Sequence, residues 1–106
     1  MNQQESTQLI IKAKKISGNC PVYNVGDQTI IDGPMIDLEN SDAVCIHALF
    51  SLGPFILALR EGINPDELGL ANSKDIPAHF QCLDPGKPYT NGGTVLFEVK
   101  RKLIKR

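Results

Sequence analysis

Five side chains in this sequence have the chemistry of metal ligands or redox thiols: Cys20, Cys45, Cys82, His47 and His79. An odd number of cysteines without a visible secretory signal argues against a disulfide framework. The three lie 25 and 37 residues apart, and no Cys-x-x-Cys occurs, so the local signature of a zinc ribbon, a ferredoxin or a thioredoxin-like site is missing. They can still converge through the fold. Cys20 precedes a proline in a turn, Cys45 begins an apolar run, and Cys82 stands near a strand end just before Asp84-Pro85. Brought together with His47 or His79, three thiolates would make a Cys₃His site able to hold zinc or iron, with metal–sulfur distances of about 2.3 Å. Each residue also has a plainer reading. Cys45 on an apolar face can be a small buried side chain, and His47 can be a half-exposed, hydrogen-bonded one. A third reading makes Cys45 a nucleophilic or redox thiol at a helix start.

The run AVCIHALFSLGPFILALREG, residues 43–62, must position two of these groups. On a helix, Cys45, Leu49, Leu52, Ile56 and Leu59 fall in a stripe about 80° wide, the expected core face. His47 falls about 200° from Cys45, beside Ser51, Pro54 and Ala58. A helix continuous from residue 43 therefore forbids Cys45 and His47 from sharing one metal ion. Pro54 offers the exception, by kinking the helix or by opening a second one and leaving residues 45–47 in a looser segment. Ser41 or Asp42 is the expected N-cap, and Gly62 the expected stop, one residue past the helix end.

Around this helix the pattern predicts strands. Residues 8–16 alternate, Leu9, Ile11 and Ala13 one way, Ile10, Lys12 and Lys14 the other; residues 28–31 and 76–83 are shorter candidates. Residues 94–103 are the clearest, with Val95, Phe97 and Val99 on one face. Asn64-Pro65-Asp66-Glu67-Leu68 reads as a one-turn helix with a capping box between Asn64 and Glu67, and residues 84–93 as a turn-rich loop. The expected fold is α+β: a small, mostly antiparallel sheet with a central, possible Pro-kinked helix packed on one face. The last two strands should pair across the 84–93 loop, and the N-terminal strand should join them. One domain spanning 1–106 is expected, with residues 1–7 and 104–106 frayed.

Of 106 residues, 42% are hydrophobic and 22% charged, an ordinary globular balance. No apolar stretch approaches the roughly 20 residues of a membrane span, and the polar start MNQQESTQ lacks the regions of a secretory signal, so the expected location is cytoplasmic. Net charge is −1, yet eight of the eleven basic residues sit near the ends, at Lys12, Lys14, Lys15, Lys100, Arg101, Lys102, Lys105 and Arg106. The aromatics are scattered, and Phe50, Phe55, Phe80 and Phe97 read as core, so nucleic acid is not the expected partner. No Ser-His-Asp set, paired carboxylates or glycine-rich phosphate loop occurs, and no catalytic or cofactor-binding residue is assigned.

The segments GNCP…VGD, C-x-H-A-L…P-x-x-x-x-L-R-x-G and C-x-D-P…V-x-F-E-V resemble a family of small proteins, about this length, found mainly in anaerobic bacteria and archaea. The resemblance runs through Cys20-Pro21, Gly26-Asp27, Cys45, Leu59, Gly62, Cys82, Pro85 and Phe97. At Cys82 this chain has QCLDPG where Cys-Pro-Asp-Pro is the more usual type. The family brings no assigned function, but it implies that the cysteines belong to the pattern and that oxygen-sensitive thiolates or an iron centre would be tolerated. Two functional expectations follow. One is an accessory or binding protein with a metal or redox site at Cys20, Cys45, Cys82 and His47. The other is an interaction module, a homo-oligomer or small subunit of an anaerobic enzyme complex, with inert buried cysteines.

Overall fold

The computed structural model describes residues 5–105. Five strands, β1 (Glu5–Ser17), β2 (Gln28–Asp32), β3 (Met35–Ile36), β4 (Ala78–Gln81) and β5 (Thr94–Lys105), accompany one helix, α1 (Ile46–Arg60), and a 3-10 turn over Pro65–Leu68. All pairings are antiparallel and the sheet order is β3-β2-β1-β5-β4. This is the expected α+β architecture. The long chain-end strands form its centre, each with an inward apolar row, Leu9, Ile11 and Ala13 in β1 and Val95, Phe97 and Val99 in β5. Their pairing runs from Ser17↔Thr94 to Glu5↔Lys105. Residues 5–7, expected to fray, are thus in register with 103–105, while residues 1–4 and 106 lie outside the described part.

One face of the sheet is the core. Leu9, Ile11 and Ala13 of β1, Ile31 of β2, Ala78 and Phe80 of β4, and Val95, Phe97 and Val99 of β5 are buried against Ala48, Leu52 and Leu59 of α1. Phe97 is the hub: its ring stacks on Phe80 at 4.9 Å and meets Tyr23 edge-on at 5.1 Å. The strict alternation of β1 fails at one point, where the register shifts between Ala13 and Lys15. Lys14 is the extra residue of a β-bulge, so Ile16 returns to the inner face opposite Val95. On the outer face, Glu98 holds Lys14 and Lys100, each at 3.6 Å.

α1 departs from expectation at its start. Ser41 Oγ donates to Asp37 O and accepts from Ile30 N–H, and Asp42 accepts from Gln28 N–H; both are spent tying the 37–42 loop to β2. The helix begins at Ile46 instead, with Cys45 as an extended N-cap residue that makes no side-chain cap. It then runs through Pro54 to Arg60 as one element. It closes on Gly62 at φ 91°, with Gly62 N–H bonded to Leu59 O and Ile63 N–H to Ala58 O, the Schellman pattern. The Asn64–Glu67 capping box is absent: the 3-10 turn has no side-chain cap. Among the described residues, no helix is long and apolar enough to cross a membrane.

Candidate functional site

A cavity of about 600 Å³ opens at the end of the sheet where β5 begins, and all three cysteines line it together with His47 and Asp84. Four segments build it: the 19–23 turn, the entrance of α1, the 82–84 segment and the 90–93 loop. Its inner wall is apolar, with Val95, Phe97, Ala48 and Tyr23. A volume within the range of small-ligand pockets, mostly apolar with a few converging polar groups, has the make-up of a binding site.

The sulfur atoms are held by the backbone. Cys20 Sγ accepts from the N–H groups of Val22 (3.4 Å) and Tyr23 (3.3 Å), closing the turn that Pro21 initiates. Cys82 Sγ accepts from Val95 N–H at 3.2 Å and donates to Gly93 O at 3.7 Å. Cys45 sits where the chain turns from extended to helical, and the residues of the first helical turn, Ile46 to Ala48, line the same wall. Cys45 and His47 therefore share a cavity although a helix continuous from residue 43 would have separated them. The late helix start, not a break at Pro54, is the reason.

Tyr23 fixes this corner. Its hydroxyl lies 2.6 Å from Thr29 Oγ1, and Thr29 in turn lies 2.6 Å from Ala43 O. A carbonyl only accepts, so the one Thr29 proton goes to Ala43 and Tyr23 must be the donor to Thr29. Burial raises the Tyr23 pKa above its ordinary value. This relay ties Ala43, ahead of α1, to the 19–23 turn and to β2.

The far rim is the 84–93 loop. Asp84 Oδ1 accepts from the Thr90 hydroxyl and from Gly86 N–H (2.7 Å). The Thr90 hydroxyl bond, then the Gly86 amide, and lastly the positive potential of His47 hold its carboxyl below the usual carboxylate range. Gly93, at φ 106°, packs so closely that an added Cβ would stand 2.5 Å from Asn19 O and 3.3 Å from Cys20 Cα. Only glycine lets the 90–93 loop meet the Cys20 turn.

The structure thus brings Cys20, Cys45, Cys82 and His47 to one cavity and leaves His79 out. His79 lies on β4, with Nε2 3.1 Å from Lys14 Nζ and Nδ1 2.9 Å from Pro77 O. An ammonium only donates, so Nε2 accepts and Nδ1 donates to Pro77. His79 is spent on the outer face and cannot replace His47. The donor set suits a soft or borderline metal, but no group of three or more His, Cys, Asp or Glu among the described residues is drawn close enough to hold an ion. Sequence reasoning missed Tyr23, Asp84 and Gly93 as parts of the site. Asp84-Pro-Gly and Asn91-Gly-Gly signal a turn, but only the fold places that turn against Cys20. Phe50, expected in the core, is 73% exposed on the outer side of α1. No protein-family model, curated protein or solved structure matches the chain.

Proposed function

We propose that the protein is a small cytoplasmic binding protein whose working part is the thiol-lined cavity, which takes a thiophilic metal, zinc or iron, on Cys20, Cys45 and Cys82 with His47 as a fourth donor. The observation that carries this reading is the convergence of three cysteines, 25 and 37 residues apart in sequence, on one cavity. Backbone amides that donate to Cys20 and Cys82 orient those sulfurs, and hydrogen bonds to sulfur are a support that metal thiolates receive in general. The metal would supply Lewis acidity or a redox couple. The chain's own part is to present the sulfurs from three segments and to keep an apolar wall behind them. The 19–23 turn and the entrance of α1 would have to close inward around the ion.

Metal analysis of anaerobically purified protein tests this. About one zinc or iron per chain is expected, with Cys20→Ser, Cys45→Ser and Cys82→Ser each lowering the content. Metal-free protein that takes up neither ion on titration, with three freely titrating thiols, sinks it. The exposed apolar side of α1, with Ile46, Phe50 and Leu57 each at least 60% exposed, favours a second reading as an interaction module. Metal-free chains that sediment as an oligomer, and become monomers on Phe50→Ser, would support that one instead.

A further inference from the structure

The opposite end of β5 carries a second surface. β4 covers β5 only from Leu96 to Val99, whereas β1 pairs with it out to Lys105. Beyond Val99, β5 therefore has a neighbour on one side only. Backbone groups alternate sides along a strand, and Val95 O accepts from Cys82 N–H on the β4 side. Steps of two from Val95 put the N–H and C=O of Arg101 and Leu103 on that same side. Among the described residues, no backbone hydrogen bond reaches either residue there.

This open edge is cationic and begins at a cavity of about 380 Å³. Lys74, Lys100 and Arg101 line that cavity with Ile63 and Ile76, and Asp75 is the sole acid in the lining. Arg101 is fixed in place. Its Nε–H donates to Arg60 O at 2.8 Å, and its guanidinium carbon packs over Gly62, 3.3 Å from where a Cβ would stand. Further along, Lys102 and the half-exposed Leu103 continue the edge.

We propose that this edge accepts an extended acidic segment of a partner protein as an added β-strand, pairing with Arg101 and Leu103 and placing one side chain in the cationic cavity. Strand addition to an open edge draws affinity from backbone bonds and specificity from pockets for alternate side chains. The charge selects the occupant. A second copy of this chain would set Lys100, Arg101 and Lys102 against their equals, an opposed like-charge arrangement that destabilises pairing. A nucleic acid would find no aromatic ring from Val99 to Ile104 on which to stack a base. Lysines on an edge guard against self-pairing, and the same charges leave the edge open to a strand of opposite sign.

The full chain would be titrated with a blocked hexapeptide of alternating glutamate and valine, read by amide chemical shifts and hydrogen exchange. The Arg101 and Leu103 amides are expected to gain about tenfold or more in protection, and Lys74→Glu with Lys102→Glu is expected to weaken binding by about tenfold with core amides unchanged. A peptide of the same sequence N-methylated at every residue should lose the protection, because it keeps no strand donor on either side. Equal binding by the N-methylated peptide or by the lysine counterpart overturns the proposal. So do stronger protection by a single-stranded oligonucleotide, concentration-dependent protection of the chain alone, or no protection at all. None of these outcomes bears on the metal content of the thiol cavity.

Discussion

β5 passes from one cavity to the other, and the two ends of the strand are built differently. At its start, Val95 and Phe97 form a wall behind three thiols, closed by loops with their own hydrogen-bonded frame. Four residues after Val95, Val99 lines a second cavity with Lys74, Lys100 and Arg101, where Asp75 is the one acid. The first end is tied across the fold: Tyr23, Thr29 and Ala43 link three segments, and Phe97 joins Tyr23 to Phe80. The second end thins to a two-stranded ribbon, Glu5–Thr7 against Leu103–Lys105, with Gly33 N–H reaching Thr7 O at its root. A ribbon of two strands is only marginally stable by itself. The contrast is between a preformed pocket and an unfinished edge: one is organised before its ligand arrives, the other is completed by it.

The sharpest way to break the contrast is to remove its hub. Phe97→Ala deletes a fully buried ring that contacts both Tyr23 and Phe80, and should cost about 3–5 kcal/mol in urea unfolding. If the cavity end is the better tied, the parent protein's amides near Thr7 and Leu103 should exchange before those around Tyr23 and Val95, and Phe97→Ala should narrow that gap. Earlier exchange around Tyr23 and Val95 in the parent protein would reverse the ranking of the two ends.

A smaller effect is expected from Tyr23→Phe, about 1–2 kcal/mol, since Thr29 keeps Ala43 but its buried hydroxyl loses the Tyr23 donor. Because burial raises the Tyr23 pKa in the folded chain, the stability it contributes is present below about pH 10 and is lost as pH rises through the folded value. Alkaline melts should show this limb in the parent protein and a flatter one in the variant. Identical alkaline limbs would mean that the phenol does not report on the fold.

The smallest change belongs to Asp84→Asn at the exposed rim. The Asp84 pKa is depressed by Thr90 and Gly86, so its contribution is present above about pH 4 and fades as pH falls below that. The variant should lose that acid dependence and leave neutral-pH stability nearly unchanged. A large loss at neutral pH would show that the 84–93 loop supports more of the cavity than its hydrogen bonds indicate.

How far the sequence could be followed depends on what each feature rests on. Val95, Phe97 and Val99 were legible as an inward face because side-chain period is a local property, and so was the membership of β1 in the same sheet, but not its place directly beside β5. Gly62 as a helix stop was legible for the same local reason. The start of α1 was not, because Ser41 and Asp42 have good capping chemistry and lose it to the β2 amides of Ile30 and Gln28. Phe50 was misplaced because α1 is apolar on its outer side too, which leaves composition unable to tell inside from outside. For the site, the cysteine types were visible, but their shared cavity rests on long-range contacts with no trace in spacing. The Gly93–Asn19 approach and the withdrawal of His79 by Lys14 are of the same kind.

The bulge at Lys14 bears on how this chain can change length. Upstream of it the inward residues are odd-numbered, at 9, 11 and 13, and downstream the inward residue is even-numbered, Ile16. A deletion at Lys14 restores an unbroken two-residue rhythm with every other side chain on its present face. A deletion at Ile11 would instead turn Leu9 and the residues before it inside out. Lys14 is thus a reading-frame marker within β1, the place where the strand can lose a residue while its hydrophobic alignment survives.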